Sequence, residues 1–295
     1  MSEREFYLPS NRAYIRALKR SFKKLKFTES TEEKDNYFVS TSRNNCKYCV
    51  EFRNFKGVDF FNKILTTHKL KNCEHYPKSF IIRDEKSFKK QKLDGNYYYY
   101  CKPKYGAQCR NISVLQGKET VIDKGLDNYP YIIQQEIEPE LEDGKKVDYR
   151  TFVLYVKQDN MIKVFYSPHH LKRICGDDYE NRTEESFFSI GENTRQEVVE
   201  NTSEQLEQCL KSAQKYILPK FTSENASDLE FFLTGFDLIK DRNGKFWIME
   251  VNSDPNFFHY DCETKFHQKI FRDITESIVR HRDEGIFRLD YFSEL

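Results

Sequence analysis

The residues that could do chemistry stand close together near the C-terminus. They are Asp237, Glu250 and Asn252, in the stretch GFDLIKDRNGKFWIMEVNSDPN. Glu250 and Asn252 interrupt an otherwise apolar run, Phe246 to Val251, that reads as a buried strand. A carboxylate there is costly unless something compensates its charge. Asn243-Gly244 is a strong hairpin signal, because both central residues of a type I′ turn need positive φ. Taken as a two-residue loop, it opposes Arg242 to Lys245, Asp241 to Phe246, Ile239 to Ile248 and Asp237 to Glu250. Opposed residues share a sheet face, and Asn252 falls on the same one. Phe236, Leu238, Trp247, Met249 and Val251 then cover the other face. Two opposed acids repel, and a bridging divalent cation removes that penalty. Oxygen-only ligands suit Mg²⁺. A pairing of the carboxylates with Arg or Lys is the main alternative, and a solvated hairpin tip is the other.

These residues need a sheet to hold them. "YPKSFII" (76–82), "NYYYYCK" (96–102), "ISVLQ" (112–116) and "YPYIIQQEI" (129–137) read as strands, with "PKYGAQCRN" a loop between the second and third. "VDYRTFVLYV" (147–156) alternates, with Asp148, Arg150, Phe152 and Leu154 on one face. Asp159-Asn160 turns it into a second hairpin with "MIKVFY". "VVENTSEQLEQCLKSAQKYIL" (198–218) and roughly the last 35 residues read as helices. Strands alternating with helices, with many antiparallel hairpins, indicate an α+β protein with a mixed or antiparallel sheet.

The bulk composition is compatible with this. The chain has 295 residues, 32% charged and 38% hydrophobic, enough for one large domain or a few lobes sharing a core. Its 25 Phe and 19 Tyr supply core volume. A net charge of +1 does not indicate a nucleic-acid partner. Neither a signal peptide nor an apolar run near 18 residues is present, so no secretion or membrane span is expected. Eight Cys in a chain this long suggest free cytosolic thiols, not a disulfide scaffold. Cys46, Cys49, Cys73 and His75 could form a zinc quartet, but the C-x-H spacing of the second pair is unusual for one. Residues 12–26 hold seven Arg or Lys and no acid on a helical pattern: a solvated face, or a docking face for an acidic partner.

Asp237 followed by Glu250-x-Asn252 and a Pro resembles the Mg–ATP motif of ATP-grasp ligases. The longer stretch resembles the tubulin–tyrosine ligase-like family, whose pattern is a GxD strand and then W-x-x-E-x-N-x-x-P. "YPKSFII" is similar to its P-x-T-F segment and "CKPKYGAQCRNI" to its KP strand and phosphate loop. "YIIQQEI" is similar to its Q-K-Y-I hinge, and "GKKVDYRTFVLYV" to its K-F-D-x-R strand. The resemblance covers residues 55–280 and implies an ATP-grasp fold in three parts: a small N-terminal lobe (1–75), a central lobe (76–140) and a C-terminal lobe (141–295). ATP would lie between the last two. By the same resemblance, Lys102 would meet the ATP phosphates, and Gln108, Arg110 and Asn111 would fold over them. Gln134, Gln135, Glu136 and Ile137 would carry the adenine through backbone hydrogen bonds. Lys146 and Asp148 would contact the phosphate and ribose region. Arg150 would face the γ-phosphate or a reacting carboxylate, Arg173 the amino acid, and Asp237, Glu250 and Asn252 the Mg²⁺.

The implied reaction is ligation of an amino acid (glutamate, glycine or tyrosine) to a protein carboxylate through an acylphosphate. Tubulin is the implied acceptor, with the basic 12–26 face suited to its acidic tails. A cytoplasmic monomer, on the cytoskeleton or cilium, is expected. The chain departs from the pattern in places. Cys109 and Asn111 replace the two glycines that flank the loop Arg, Gln135 replaces the hinge Lys, and no H-L-T-N segment is found. A nucleotide-binding pseudoenzyme docked on microtubules, and a ligase for a non-tubulin acceptor, are the rival readings.

Overall fold

The computed structural model describes residues 5–6, 13–29, 50–52, 62–104, 112–116, 130–158, 161–181, 184–188, 193–218, 229–252 and 261–295. In chain order it begins with β1 (Glu5–Phe6), α1 (Ala13–Lys24), β2 (Thr28–Glu29), β3 (Val50–Phe52) and α2 (Lys63–Leu70). A first unit follows: β4 (Ser79–Ile82), α3 (Glu85–Lys89), β5 (Tyr98–Pro103), β6 (Ser113–Gln116) and β7 (Tyr131–Gln135). These strands form an antiparallel four-stranded sheet in the order β4-β7-β5-β6. Its core is Ile82, Phe88, Tyr99, Leu115, Tyr131 and Ile133.

The second unit is a nine-stranded sheet. It holds β8 (Leu141–Glu142), β9 (Lys145–Gln158), β10 (Met161–Tyr166), β11 (His169–Asp178), β12 (Arg195–Glu200), β13 (Leu229–Lys240), β14 (Phe246–Asn252) and β15 (Ser293–Glu294), with β3 added in parallel to β13. Helices α4 (Glu184–Phe187), α5 (Glu204–Ile217) and α6 (Asp261–Glu284) complete the chain. Strand β9 is the spine. One edge pairs with β11 near its start and with β10 near its end, and the other pairs with β13 along most of its length. The β9–β10 hairpin has the expected register, Met161 opposite Gln158; residues 159–160 themselves lie outside the described residues.

Alternation along β9 buries both faces. Phe152, Leu154 and Val156 pack under α6 (Phe266, Ile270, Ile274, Ile278) and α1 (Leu18, Phe22). Val153 and Tyr155 pack under α5 (Leu206, Cys209, Leu210, Ala213) and Leu70 of α2. The described helices of the N-terminal region therefore share the cores of the large sheet; among the described residues they have none of their own. This is the α+β architecture read from the sequence.

Two local readings need correction. The 198–218 helix starts later, at Glu204, because Ser203 caps it by accepting from Leu206 N–H at 3.4 Å. Val198 and Val199 instead pair with Leu171 and His170 as edge strand β12; β-branched residues favour that conformation. The Asn243-Gly244 turn is not type I′. Gly244 has φ +86°, but among the described non-glycine residues only Lys26 and Asp143 have positive φ. The Asp241 carboxylate decides this, accepting from the N–H groups of Asn243 (2.9 Å) and Lys245 (3.0 Å). Asp241 and Lys245 then flank a three-residue loop with glycine in the left-handed position. Ile239 faces Trp247, and Leu238 faces Ile248. A bulge follows, and beyond it Asp237 does face Glu250. The bulge also changes which residues are core: Phe246, Ile248 and Val251 are buried, while Trp247 and Met249 are half-buried.

Candidate functional site

The chemistry-bearing residues meet on four adjacent strands. Arg173 of β11 pairs with Asp148 of β9, Arg150 of β9 with Asp237 of β13, and Asp237 with Glu250 of β14; Gly235 pairs with Asn252. Asp148 and Arg150 share the face of Phe152, whose apolar covering by α6 gives way to charge at this end of the sheet.

The side chains interlock. Arg150 donates from Nε and Nη2 to the two oxygens of Asp237, each at 2.9 Å. Arg173 Nη2 donates to Asp237 Oδ1 at 2.8 Å, and its Nε donates to Asp148. Asn252 Nδ2 donates to Asp237 Oδ2 at 2.9 Å. Burial alone raises the Asp237 pKa, but Arg150 and Arg173 outweigh it and hold the carboxyl well below the usual carboxylate range. Burial opposes the charge of Arg173, yet Asp148 and Asp237 raise its pKa further. Glu250 takes a different partner: Lys63, buried at the start of α2, donates to its Oε1 at 2.5 Å.

This corrects one expectation. The Asp237–Glu250 pair does not require a divalent cation to coexist, because Arg150, Arg173 and Lys63 compensate it. Among the described residues no group of three or more His, Cys, Asp or Glu is placed to hold a metal. Asp237, Glu250 and Asn252 still fit a hard cation in donor type, since all three offer oxygen. Arg150 must leave Asp237, and the Asn252 amide must turn over, for them to serve. Cys73 contacts Ser212 Oγ at 3.4 Å and His75 Nδ1 the Phe246 carbonyl at 2.7 Å, so both are committed to packing; Cys46 and Cys49 lie outside the described residues.

A small pocket lies between the two sheets. Lys102 and Ile132 line it from the small sheet, Met249 and Glu250 from the large one, and Lys63, Thr66 and Tyr76 close its side. Lys102 Nζ donates to Gln134 Oε1 at 2.5 Å. Lys146 Nζ donates to the Phe187 carbonyl at 2.6 Å. Both ammonium groups lie within 6 Å of the Tyr100 ring, at 5.8 and 5.4 Å. At the hinge the N–H groups of Gln135 and Glu136 are bonded to the carbonyls of Lys78 and Tyr98. Those two N–H groups are therefore committed within the fold and are not open to a base, contrary to the expectation for the whole segment. Gln108, Arg110 and Asn111 lie outside the described residues.

A profile of the tubulin–tyrosine ligase family matches residues 25–188 and 182–286, most of the chain. The chain belongs to the tubulin–tyrosine ligase family. That family has an α+β ATP-grasp-like fold, and its activity is that of an ATP-dependent ligase. No curated protein matches the chain.

Within this family fold, sequence reasoning missed three features. Lys63 in "FFNKILTTHKL" reads as an ordinary helix-surface lysine, and nothing local points to Glu250. Asp143-Gly144 is the true two-residue positive-φ turn (φ 51° and 78°), and its Asp-Gly sequence was an available signal. It pairs β8 with β9 and sends Lys146 toward Phe187. The third is Glu136, which turns inward to accept from the hydroxyls of Tyr100 and Tyr179. His169 and His170 are packing residues: His169 stacks on Tyr291 at 4.7 Å, and His170 is buried between Thr151 Oγ1 (2.7 Å) and the Asn201 carbonyl (2.9 Å).

Proposed function

We propose that this protein ligates an amino acid to a protein carboxylate at the expense of ATP, with Mg²⁺ held by Asp237, Glu250 and Asn252. The observation that carries this reading is the cluster of Arg150, Arg173, Asp237 and Asn252 on adjacent strands, opposite Glu250, which lines the inter-sheet pocket with Lys63 and Lys102. The acceptor carboxylate attacks the γ-phosphorus, ADP departs, and the amino-acid amine then displaces phosphate from the acylphosphate. Lys102 and Lys146 bind phosphate oxygens. Arg150, released from Asp237, faces the transferring phosphoryl group, and Arg173 orients the amino acid. Their positive charge offsets the negative charge that gathers during transfer. Mg²⁺ supplies further charge neutralisation at the phosphates.

Acidic tubulin tails are the proposed acceptor. Arg20, Lys24 and Lys26 on and beside α1 are exposed, although Lys19 and Lys23 are bonded to Glu29. Lysine and arginine on that face suit a polyanionic segment. The proposed location is the cytoplasm, on microtubules. No helix among the described residues is long and apolar enough to cross a membrane.

The test offers labelled tyrosine, glutamate and glycine with tubulin, with Glu250→Gln as control. Incorporation of one amino acid that depends on ATP and is lost in Glu250→Gln supports the reading; full activity of Glu250→Gln refutes the metal assignment. A second reading, a nucleotide-binding pseudoenzyme, is favoured by the two-pronged grip of Arg150 on Asp237 and by Cys109 and Asn111 in the phosphate loop. ADP release that requires tubulin and an amino acid excludes it.

A further inference from the structure

The two lysines assigned to phosphate binding do not belong to one element. Lys102 is on β5 of the small sheet, and Lys146 is on β9 of the large one. What they share is Tyr100. It sits two residues before Lys102, on the same face of β5. It is 3% exposed, and its ring lies 5.8 Å from one ammonium and 5.4 Å from the other. The ring is itself fixed. It packs against Phe187 in a T-shaped contact with ring centroids 6.0 Å apart, and its hydroxyl donates to Glu136 Oε1 at 3.2 Å. Glu136 is buried and also accepts from Tyr179, which lies just beyond β11. Tyr100, Tyr179 and Phe187 form one small core that joins the two sheets.

We propose that Tyr100 is a positioning residue for the nucleotide phosphates, its ring holding Lys102 and Lys146 in place across the inter-sheet joint. This rests on the ligase reading above. Each ammonium group lies within 6 Å of the same electron-rich ring, which attracts both and so offsets part of any repulsion between them. Donation of the phenol proton toward a buried carboxylate increases the electron density of the ring, so Glu136 reinforces the effect without touching either lysine. Gln134 Oε1 and the Phe187 carbonyl accept from the two ammonium groups, and the ring fixes their position.

The experiment is nucleotide binding by full-length protein, read by calorimetry with a non-hydrolysable ATP analogue and Mg²⁺. The variants are Tyr100→Phe and Tyr100→Phe with the ring fluorinated at one, two and three positions. Fluorination withdraws charge from the ring face at nearly constant shape, so folding is preserved. Expected are a modest loss for Tyr100→Phe and a stepwise weakening along the series, reaching about tenfold for the trifluorinated ring. Tyr179→Phe, which leaves the ring and both lysines in place, stays close to wild type. A flat fluorination series overturns the proposal, as does a loss in Tyr179→Phe as large as that of the trifluorinated ring. Failure of the wild type to bind the analogue defeats the ligase reading itself, so the two failures are distinguishable.

Discussion

Two hairpins deliver the candidate site, and they solve the same problem differently. At Asp143-Gly144 both loop residues adopt positive φ, and the pairing Leu141–Lys146 runs directly out of the turn. At Asn243-Gly244 the better-known dipeptide does not form that turn, because Asp241 captures the N–H groups that define a three-residue loop. The pairing is then one residue out of the expected register until the bulge in β14 restores Asp237 opposite Glu250. A dipeptide signal is thus conditional on its neighbours, and two local departures can cancel at the residues that matter.

The charge cluster delivered by both hairpins gives the largest predicted effect. Asp237→Ala leaves Arg150 and Arg173 without their shared acid, so urea unfolding should show a loss of about 3–5 kcal/mol. Stability that survives intact would mean the cluster is solvated and the hairpins bring together nothing of consequence. Excising Met249, the residue between the two registers, should leave Asp237 opposite Glu250 and the protein folded. Nucleotide binding should weaken, because Met249 lines the cleft. Unfolding of that variant would show that the bulge is needed for the fold, not only for the cleft.

A pH effect comes next, from the strand that flanks the first hairpin. Burial lowers the His170 pKa to about 4, against a smaller opposing contribution from its bond to the Asn201 carbonyl. The folded state therefore favours the neutral ring. The unfolded chain binds the proton first, so this contribution is fully present above about pH 6.5 and is lost as pH falls toward 4. Melting temperature should decline over that window in the wild type and decline less in His170→Gln. The smallest effects compare the turns directly. Asp143→Ala places alanine at φ 51° and should cost about 1 kcal/mol, whereas Asn243→Ala should change stability by less than about 0.5 kcal/mol. Equal costs at both positions would erase the contrast between the hairpins.

Much of this was legible in the residues. Strand alternation located β5, β7, β9 and the β9–β10 hairpin, and the motif around Glu250 pointed to the right family. Helix α5 was placed too early because the local pattern of Val198 and Val199 is compatible with either state until β11 pairs with them. Charge compensation was the least legible feature. The sequence alone showed two acids converging, and a metal was the simplest answer. The structure brought Lys63 from 187 residues away and Arg173 from 64 residues away.

By itself the sequence determined most of the strands and the family, because side-chain period acts over a few residues; Asp237 meets Glu250 because the three-residue turn and the β14 bulge cancel. Tertiary structure alone decided which cations neutralise those acids and that lysines from two different sheets both approach the Tyr100 ring. Each of those depends on competition among groups that are distant in the chain or share one hydrogen-bond donor, and such competition is resolved only when the sheets are packed together.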